Sequence, residues 1–496
     1  MKRESAYPKI MLPFEEFLFW DAKIPGSPAD AITHLIFHGT LKREIFERAL
    51  YIQLKKTLRA YTTIHENENG TIYWETCPDI QEKLRFPLGE SFLRWYPESW
   101  NSQNSPKQLF PLDITQTPGI RFLVFQDPAS DRTDILFHFH HVTTDAIGSF
   151  HFLEKLFLSY TQLLHEDIFS EKNTSSPESI PVSMKAPLHF SLLWMITGVL
   201  FSWLFSWINP WRKKIWQIPS TQNHLHLNEH PEPTGYLTDR VSQKTFMIPR
   251  EFRFSKEETE HIRKIAKTYG VTLNDFLLTA CFLAAARWKV HMEKNASPAT
   301  RHSILRAAIP VNLRPSSGEM NTLGNCVSIL FLNCTPQECL SENRQKLLKK
   351  IAQQMNLMKK TDRRQLVLYG TQGLHDLRRG KKHPRWGMEL YLKFRPTLAT
   401  FVFSNLGILL PCKQLPHTTD GKLCLGNAVL EDIILASPRT TNAGIFFPVG
   451  TYAGQLRLFA IYDPSKLRAK DAELWLTFFS EEIRKFISLS SSHSTI

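Results

Sequence analysis

The sequence predicts an α/β protein of two lobes joined through an apolar insert, and three observations predict it. The chain has 496 residues, more than one ordinary hydrophobic core and enough for two or three domain-sized units. Strand-like and helix-like stretches alternate through residues 1–170 and again through 241–496. Between them, 171–240 reads as a linker whose segment 188–211 is almost wholly apolar. With 42% hydrophobic and 22% charged residues, the balance is globular rather than disordered.

In the first lobe "THLIFHG" (33–39) reads as a strand. "KREIFERALYIQLKKT" (42–57) places Ile45, Phe46, Ala49, Leu50 and Leu54 at the spacing of an amphipathic helix. "GIRFLVFQD" (119–127) and "DILFHFHH" (134–141) are strands divided by the turn-rich "DPASDR". "SFHFLEKLFLSYTQLL" (149–164) is a helix whose aromatic stripe reads as ordinary core.

The linker opens Ser/Pro-rich over 171–187. From Phe190 to Ile208 no residue is charged, Trp194, Trp203, Trp207 and Trp211 punctuate the run, and Arg212, Lys213 and Lys214 close it. That pattern suits a membrane-seeking segment. A peripheral or re-entrant position at the cytoplasmic face is expected.

In the second lobe "SKEETEHIRKIAKTYG" (255–270) opens with a capping box, Ser255 to Glu258, and stops at Gly270. "VTLNDFLLTACFLAAARWKV" (271–290) is apolar nearly all round and therefore a buried helix. Strands are expected at 304–314, 326–333, 397–405, 443–450 and 456–463, and a closing helix at 472–487.

Lys and Arg exceed Asp and Glu by 13, which favours an anionic partner: a phosphate-bearing cofactor, an anionic membrane or nucleic acid. The seven cysteines form no C-x-x-C pair, so zinc ribbons and thioredoxin-like chemistry have no support. Reduced thiols in the cytoplasm are the simple expectation. The N-terminus has no apolar core ahead of a small-residue cleavage site and does not read as a secretory signal.

The densest chemistry lies in "LFHFHHVTTDAIGS" (136–149). Strand alternation puts Ile135, Phe137, Phe139 and His141 on one face and Leu136, His138 and His140 on the other. The adjacent histidines therefore see different surroundings, and a single one, His141, is expected to reach a reaction centre. Asp145 stands just ahead of a helix, where an N-cap or turn role is the default. A metal site on His138, His140 and Asp145 lacks a further ligand cluster. His140 and Asp145 also match the H-x4-D spacing of glycerol-phosphate acyltransferases, whose companion motif is missing. No G-x-S-x-G elbow or P-loop occurs.

Taken in order, these stretches resemble the HHxxxDG acyltransferases related to chloramphenicol acetyltransferase, which include condensation domains and bacterial wax ester synthase/diacylglycerol acyltransferases. "LPFEEFLFW" (12–20) resembles the opening motif, "LFPLDITQTPGIRF" (109–122) the segment before the motif strand, and "HHVTTDA" (140–146) the signature. "VTLNDFLLTA" (271–280), "LRAAIPVNLRP" (305–315) and "LGNCVSILF" (323–331) resemble later motifs. Ala146 stands where the signature has glycine, with Gly148 two residues on, which bears on substrate fit.

The resemblance implies two chloramphenicol-acetyltransferase-like lobes with a tunnel between them. It implies transfer of an acyl group from acyl-CoA, as co-substrate, to a lipophilic alcohol or amine, with no metal and no further cofactor. His141 would be the base, with His140 beside it. Asp145 would pair with Arg314 to hold the loop, and Asn325 and Asn274 would make polar contacts. The basic run "RRGKKHPR" (378–385) offers Arg378 and Arg379 to the CoA phosphates or to anionic lipid. A monomer with no nucleic-acid partner is expected. The alternatives are condensation with a carrier-protein-bound acyl group, and a catalytically weak membrane-associated scaffold of the same fold.

Overall fold

The computed structural model describes residues 29–68, 72–76, 84–101, 111–165, 215–218, 249–293, 303–314, 323–340, 344–360, 398–438, 443–463 and 467–491, with Glu15, Leu18, Phe19 and Ala22. In chain order the first half gives β1 (Asp30–His38), α1 (Arg43–Lys56), β2 (Thr62–Glu66), β3 (Ile72–Thr76), β4 (Leu93–Tyr96), β5 (Ile120–Gln126), β6 (Arg132–His140) and α2 (Ala146–His165). The second half gives β7 (Arg250–Arg253), α3 (Lys256–Thr268), α4 (Leu273–Met292), β8 (Leu305–Asn312), β9 (Val327–Cys334), α5 (Pro336–Leu340) and α6 (Arg344–Lys360). It closes with β10 (Phe401–Ile408), β11 (Cys424–Leu425), β12 (Ala428–Ala436), β13 (Ile445–Tyr452), β14 (Gln455–Tyr462) and α7 (Ala469–Ser491).

Two six-stranded sheets organise these elements, in the orders β11-β12-β1-β6-β5-β4 and β7-β14-β13-β10-β8-β9. Each buries one face under helices. Leu35, Phe37, Phe122, Phe137 and Phe139 of the first sheet pack with Phe46 and Leu50 of α1 and Phe152, Leu153 and Phe157 of α2. Ala307, Ile309, Phe401, Phe403 and Phe447 of the second pack with Phe282 and Trp288 of α4 and Trp475 and Phe479 of α7.

Helix ends follow the local code. Ser255 accepts from the Glu258 amide at 3.1 Å while the Glu258 carboxylate accepts from the Ser255 amide at 2.9 Å, the reciprocal cap expected from sequence. Gly270 sits at φ +67°, a left-handed turn that lets the chain leave α3. In α4 the run from Asp275 to Ala286 is buried throughout, as its apolar girth requires.

One expectation needs correction. Sequence order assigned everything from 241 to 496 to the second lobe, yet β11 and β12 belong to the first sheet. β12 pairs antiparallel with β1, from Ile32–Ala436 to His38–Val429. Without it β1 would be an exposed edge with unpaired amides and carbonyls. Asp432 of β12 then clasps Arg253 of β7 at 2.6 Å and also pairs with the buried Arg457 of β14, joining the two sheets. Among the described residues no single helix is long and apolar enough to cross a membrane. The apolar segment 188–211 and the basic run at 378–385 lie outside the described residues.

Candidate active site

β6 ends at His140, and the chain turns through Val142 and Thr143 into α2. The turn is held tightly. The His141 amide donates to Ala29 O at 2.7 Å and the Thr143 amide to His140 O at 2.9 Å. Val142 is fully buried in a small cluster with Phe19, Ile64, Ile72 and Trp74. Gly119 lies against the turn so closely that a Cβ there would sit 1.8 Å from Thr143 Oγ1, so any side chain at 119 would have to displace Thr143.

Asp145 does two jobs at once. Its Oδ1 accepts the Gly148 amide at 2.8 Å, capping α2, and both carboxylate oxygens accept from the Arg314 guanidinium at 2.8–2.9 Å. The Cys326 amide donates to Oδ2 at 2.7 Å. The expected Asp145–Arg314 pair is thus present and buried, with side chains 7% and 4% exposed. Arg314 also donates to Gly324 O at 2.9 Å. Asn325 completes the clamp, its side-chain NH2 donating to His141 O and Val142 O, each at 2.8 Å. Through these bonds the second sheet's β8–β9 end grips the histidine turn.

His141 itself is half-buried and lines a cavity of about 300 Å³. Its Nδ1 is buried with no hydrogen-bond partner among the described residues. The cavity walls come from both sheets: Ala31 and Thr33 on one side, Pro310, Ile329 and Val402 on the other, with Ala146 and Phe150 of α2 between. Ala146 opens the helix without a positive φ, unlike Leu410 and Ala453, so its methyl replaces glycine with no backbone strain and faces the cavity.

The neighbouring histidines are used differently. His140 is buried, and its Nδ1 accepts the Val142 amide at 3.3 Å. His138 Nδ1 lies 3.1 Å from an Arg121 nitrogen, which can only donate, so the proton sits on Nε2, 3.4 Å from Asp30. Burial pushes the His138 pKa down and keeps the ring neutral. Burial alone would raise the Asp30 carboxyl; the facing His138 Nε2–H and the Leu112 amide outweigh it and hold it below the ordinary value. Burial pushes the Cys326 thiol up to about 11, which suits packing rather than attack.

Asn274 is not brought to this site. It lies in the first turn of α4, which packs on the Ala307/Ile309 face of β8, opposite the Ala308/Pro310 face that lines the cavity. Sequence reading also missed Glu15, fully buried, which accepts from Arg59 at 2.6 Å and from Trp74 Nε1 at 3.0 Å behind Val142. Its signal was a carboxylate inside the apolar run "LPFEEFLFW".

The fold is shared with solved condensation domains and with an O-acetyltransferase. The first condensation domain of the CDA synthetase superposes with TM-score 0.62 at 14% identity, covering 98% of this chain and 97% of that one. The trichothecene 15-O-acetyltransferase of Fusarium sporotrichioides gives TM-score 0.67 at 14% identity, covering 96% and 94%. The condensation domain of the monacolin K polyketide synthase MokA gives 0.60 at 12% identity, covering 97% of each chain. No curated protein matches the chain in sequence. Residues 102–371, more than half of the chain, match the alcohol acetyltransferase family. The chain belongs to that family, and with it to the acyltransferases of the condensation-domain type.

Proposed function

We propose that the protein transfers an acyl group from acyl-CoA to the hydroxyl of a lipophilic alcohol, with His141 as base. The alcohol oxygen attacks the thioester carbon while His141 Nε2 takes the hydroxyl proton. The carbon–sulfur bond breaks, and the same proton goes to the leaving thiolate, giving ester and free CoA. Asp145 works at one remove, because its oxygens are spent on Arg314, Gly148 and Cys326. The observation that carries the reading is the clamp: Asn325 and the Asp145–Arg314 pair fix the turn that presents His141 to an apolar cavity. We read that cavity as part of a tunnel open to donor and acceptor. Arg378 and Arg379 are proposed to meet the CoA phosphates or anionic lipid, and 188–211 to hold the protein at the cytoplasmic membrane surface.

A carrier-protein-bound donor is the second reading, favoured by condensation domains that align over 97–98% of the chain. The test is release of free thiol and ester by the full-length protein from acetyl-, octanoyl- and palmitoyl-CoA with 1-octanol. Ester formation supports the reading, and the chain length preferred decides between an acetyltransferase and the long-chain, wax-ester form. No ester from any CoA donor, with turnover of a carrier-bound acyl group, would replace it by the second reading.

A further inference from the structure

The face of the second sheet turned away from its helices forms a ruled apolar lane. Strand register sets the rulings. One row runs across four strands, Phe446–Val402–Ala308–Phe331. The next row toward the histidine turn holds Pro310 and Ile329, and the last Asn312 and Val327, just before Arg314. All of them line the cavity. From Asn312 to Ala308 is four residues of strand, about 13 Å.

Both ends of the lane are polar. At the near end Asn312 accepts the Arg314 amide at 3.0 Å, beside the Asp145 clamp. One row past Phe331 the same face carries Arg306, whose Nε donates to Asn333 at 2.7 Å and whose guanidinium lies 5.9 Å from the centre of the Phe331 ring. An alkyl chain growing past Phe331 meets a hydrated charge instead of further apolar wall, and gains nothing by burial there.

We propose that this lane binds one apolar chain of the alcohol, head at His141 and tail between Phe331 and Phe446, and that Phe331 and Val402 set its length. The lane of about 13 Å from Asn312 to Ala308 matches an extended chain of roughly ten carbons. The assignment of the head rests on His141 as the reacting end; the length rule rests on the lane alone.

The test is isothermal titration of the full-length protein with 1-alkanols from 1-butanol to 1-tetradecanol, without any acyl donor. Affinity should rise about fourfold per methylene and level off near 1-decanol. Phe331→Ala should move the break to longer chains by two or more carbons. Val402→Phe should pull it back to 1-octanol or shorter, with melting curves confirming that each variant is folded. If one variant does not fold, the other and the wild-type break still decide. Affinity climbing unbroken to 1-tetradecanol, no alkanol binding at all, or a break unmoved in the folded variants would overturn the proposal. A length break with no acyl transfer from any donor would remove the proposed reaction and keep the lane. Transfer with no length break would remove the lane alone.

Discussion

The two sheets bury their helix-facing sides alike and treat their other sides in opposite ways. The first carries Asp30, His34, Arg121, Asp134 and His138 on that side, all buried and paired with one another. The second carries Ala308, Pro310, Ile329, Val402 and Phe446, which border a cavity. Charged side chains that satisfy each other make a scaffold. Apolar side chains bordering a void, with a half-buried histidine on its wall, make a binding site. The difference separates the buried, paired His138 from the half-buried His141 on the cavity wall within a single sequence motif.

The strongest way to break that contrast is to attack the link between the sheets. Arg314→Ala leaves Asp145 buried without its cation and should cost about 3–5 kcal/mol of stability. Because Asp145 also caps α2, turnover should fall in the protein that remains folded. Denaturant unfolding beside a rate measurement checks both, and unchanged stability would show that the clamp holds nothing.

A smaller effect probes the turn from the first sheet. Gly119→Ala forces a methyl into Thr143 and should cost about 1–3 kcal/mol. Adding Thr143→Ala should recover part of the loss, since the closest clash is with the hydroxyl. A double variant no better than the single one would place the strain elsewhere.

The smallest effect sharpens the scaffold reading through pH. Neutral His138 has a lowered pKa, so its contribution is complete above the unfolded histidine value and fades as pH falls below about 6.5. Burial alone would raise the carboxyls of Asp30, Asp134 and Asp432, but their basic partners outweigh it and hold all three low. Their contribution is complete above about pH 4 and is lost as pH falls through the folded values. Melting temperature should therefore drop in two stages on acidification, and His138→Ala should shrink the first, the half-buried His151, also lowered by burial, carrying the rest. A melting temperature that rises between pH 7 and pH 5 would contradict the assignment.

Much of this was legible in the sequence where the signal is local. The alternation in "DILFHFHH" separated His140 from His141, and the capping box at Ser255 marked the start of α3. The Asp145–Arg314 pair followed from the family resemblance, not from spacing, because 169 residues separate the partners. β12 was missed because its crossing to β1 is set by an edge that only the folded sheet exposes. The lane was hidden for a different reason. "VSILFLN" is apolar on both faces, so no two-residue period distinguishes the side on α4 from the side on the cavity. Asn274 carried no comparable signal: it lies in the first turn of α4, where Thr272 is the cap, and local pattern does not say which face of the second sheet that helix covers.

One side-by-side measurement tests the assignment of His141 as the base: turnover and melting temperature of His141→Ala and His138→Ala with the best acyl donor and alcohol. His141→Ala should lose 10²-fold or more in rate, on the order of a general base's contribution, with melting unchanged. His138→Ala, which strips a partner from buried Arg121 and Asp30, should lose about 1.5–3 kcal/mol of stability while its folded fraction still turns over. Full activity in His141→Ala, or a His138→Ala variant that melts normally and is inactive, would contradict that assignment.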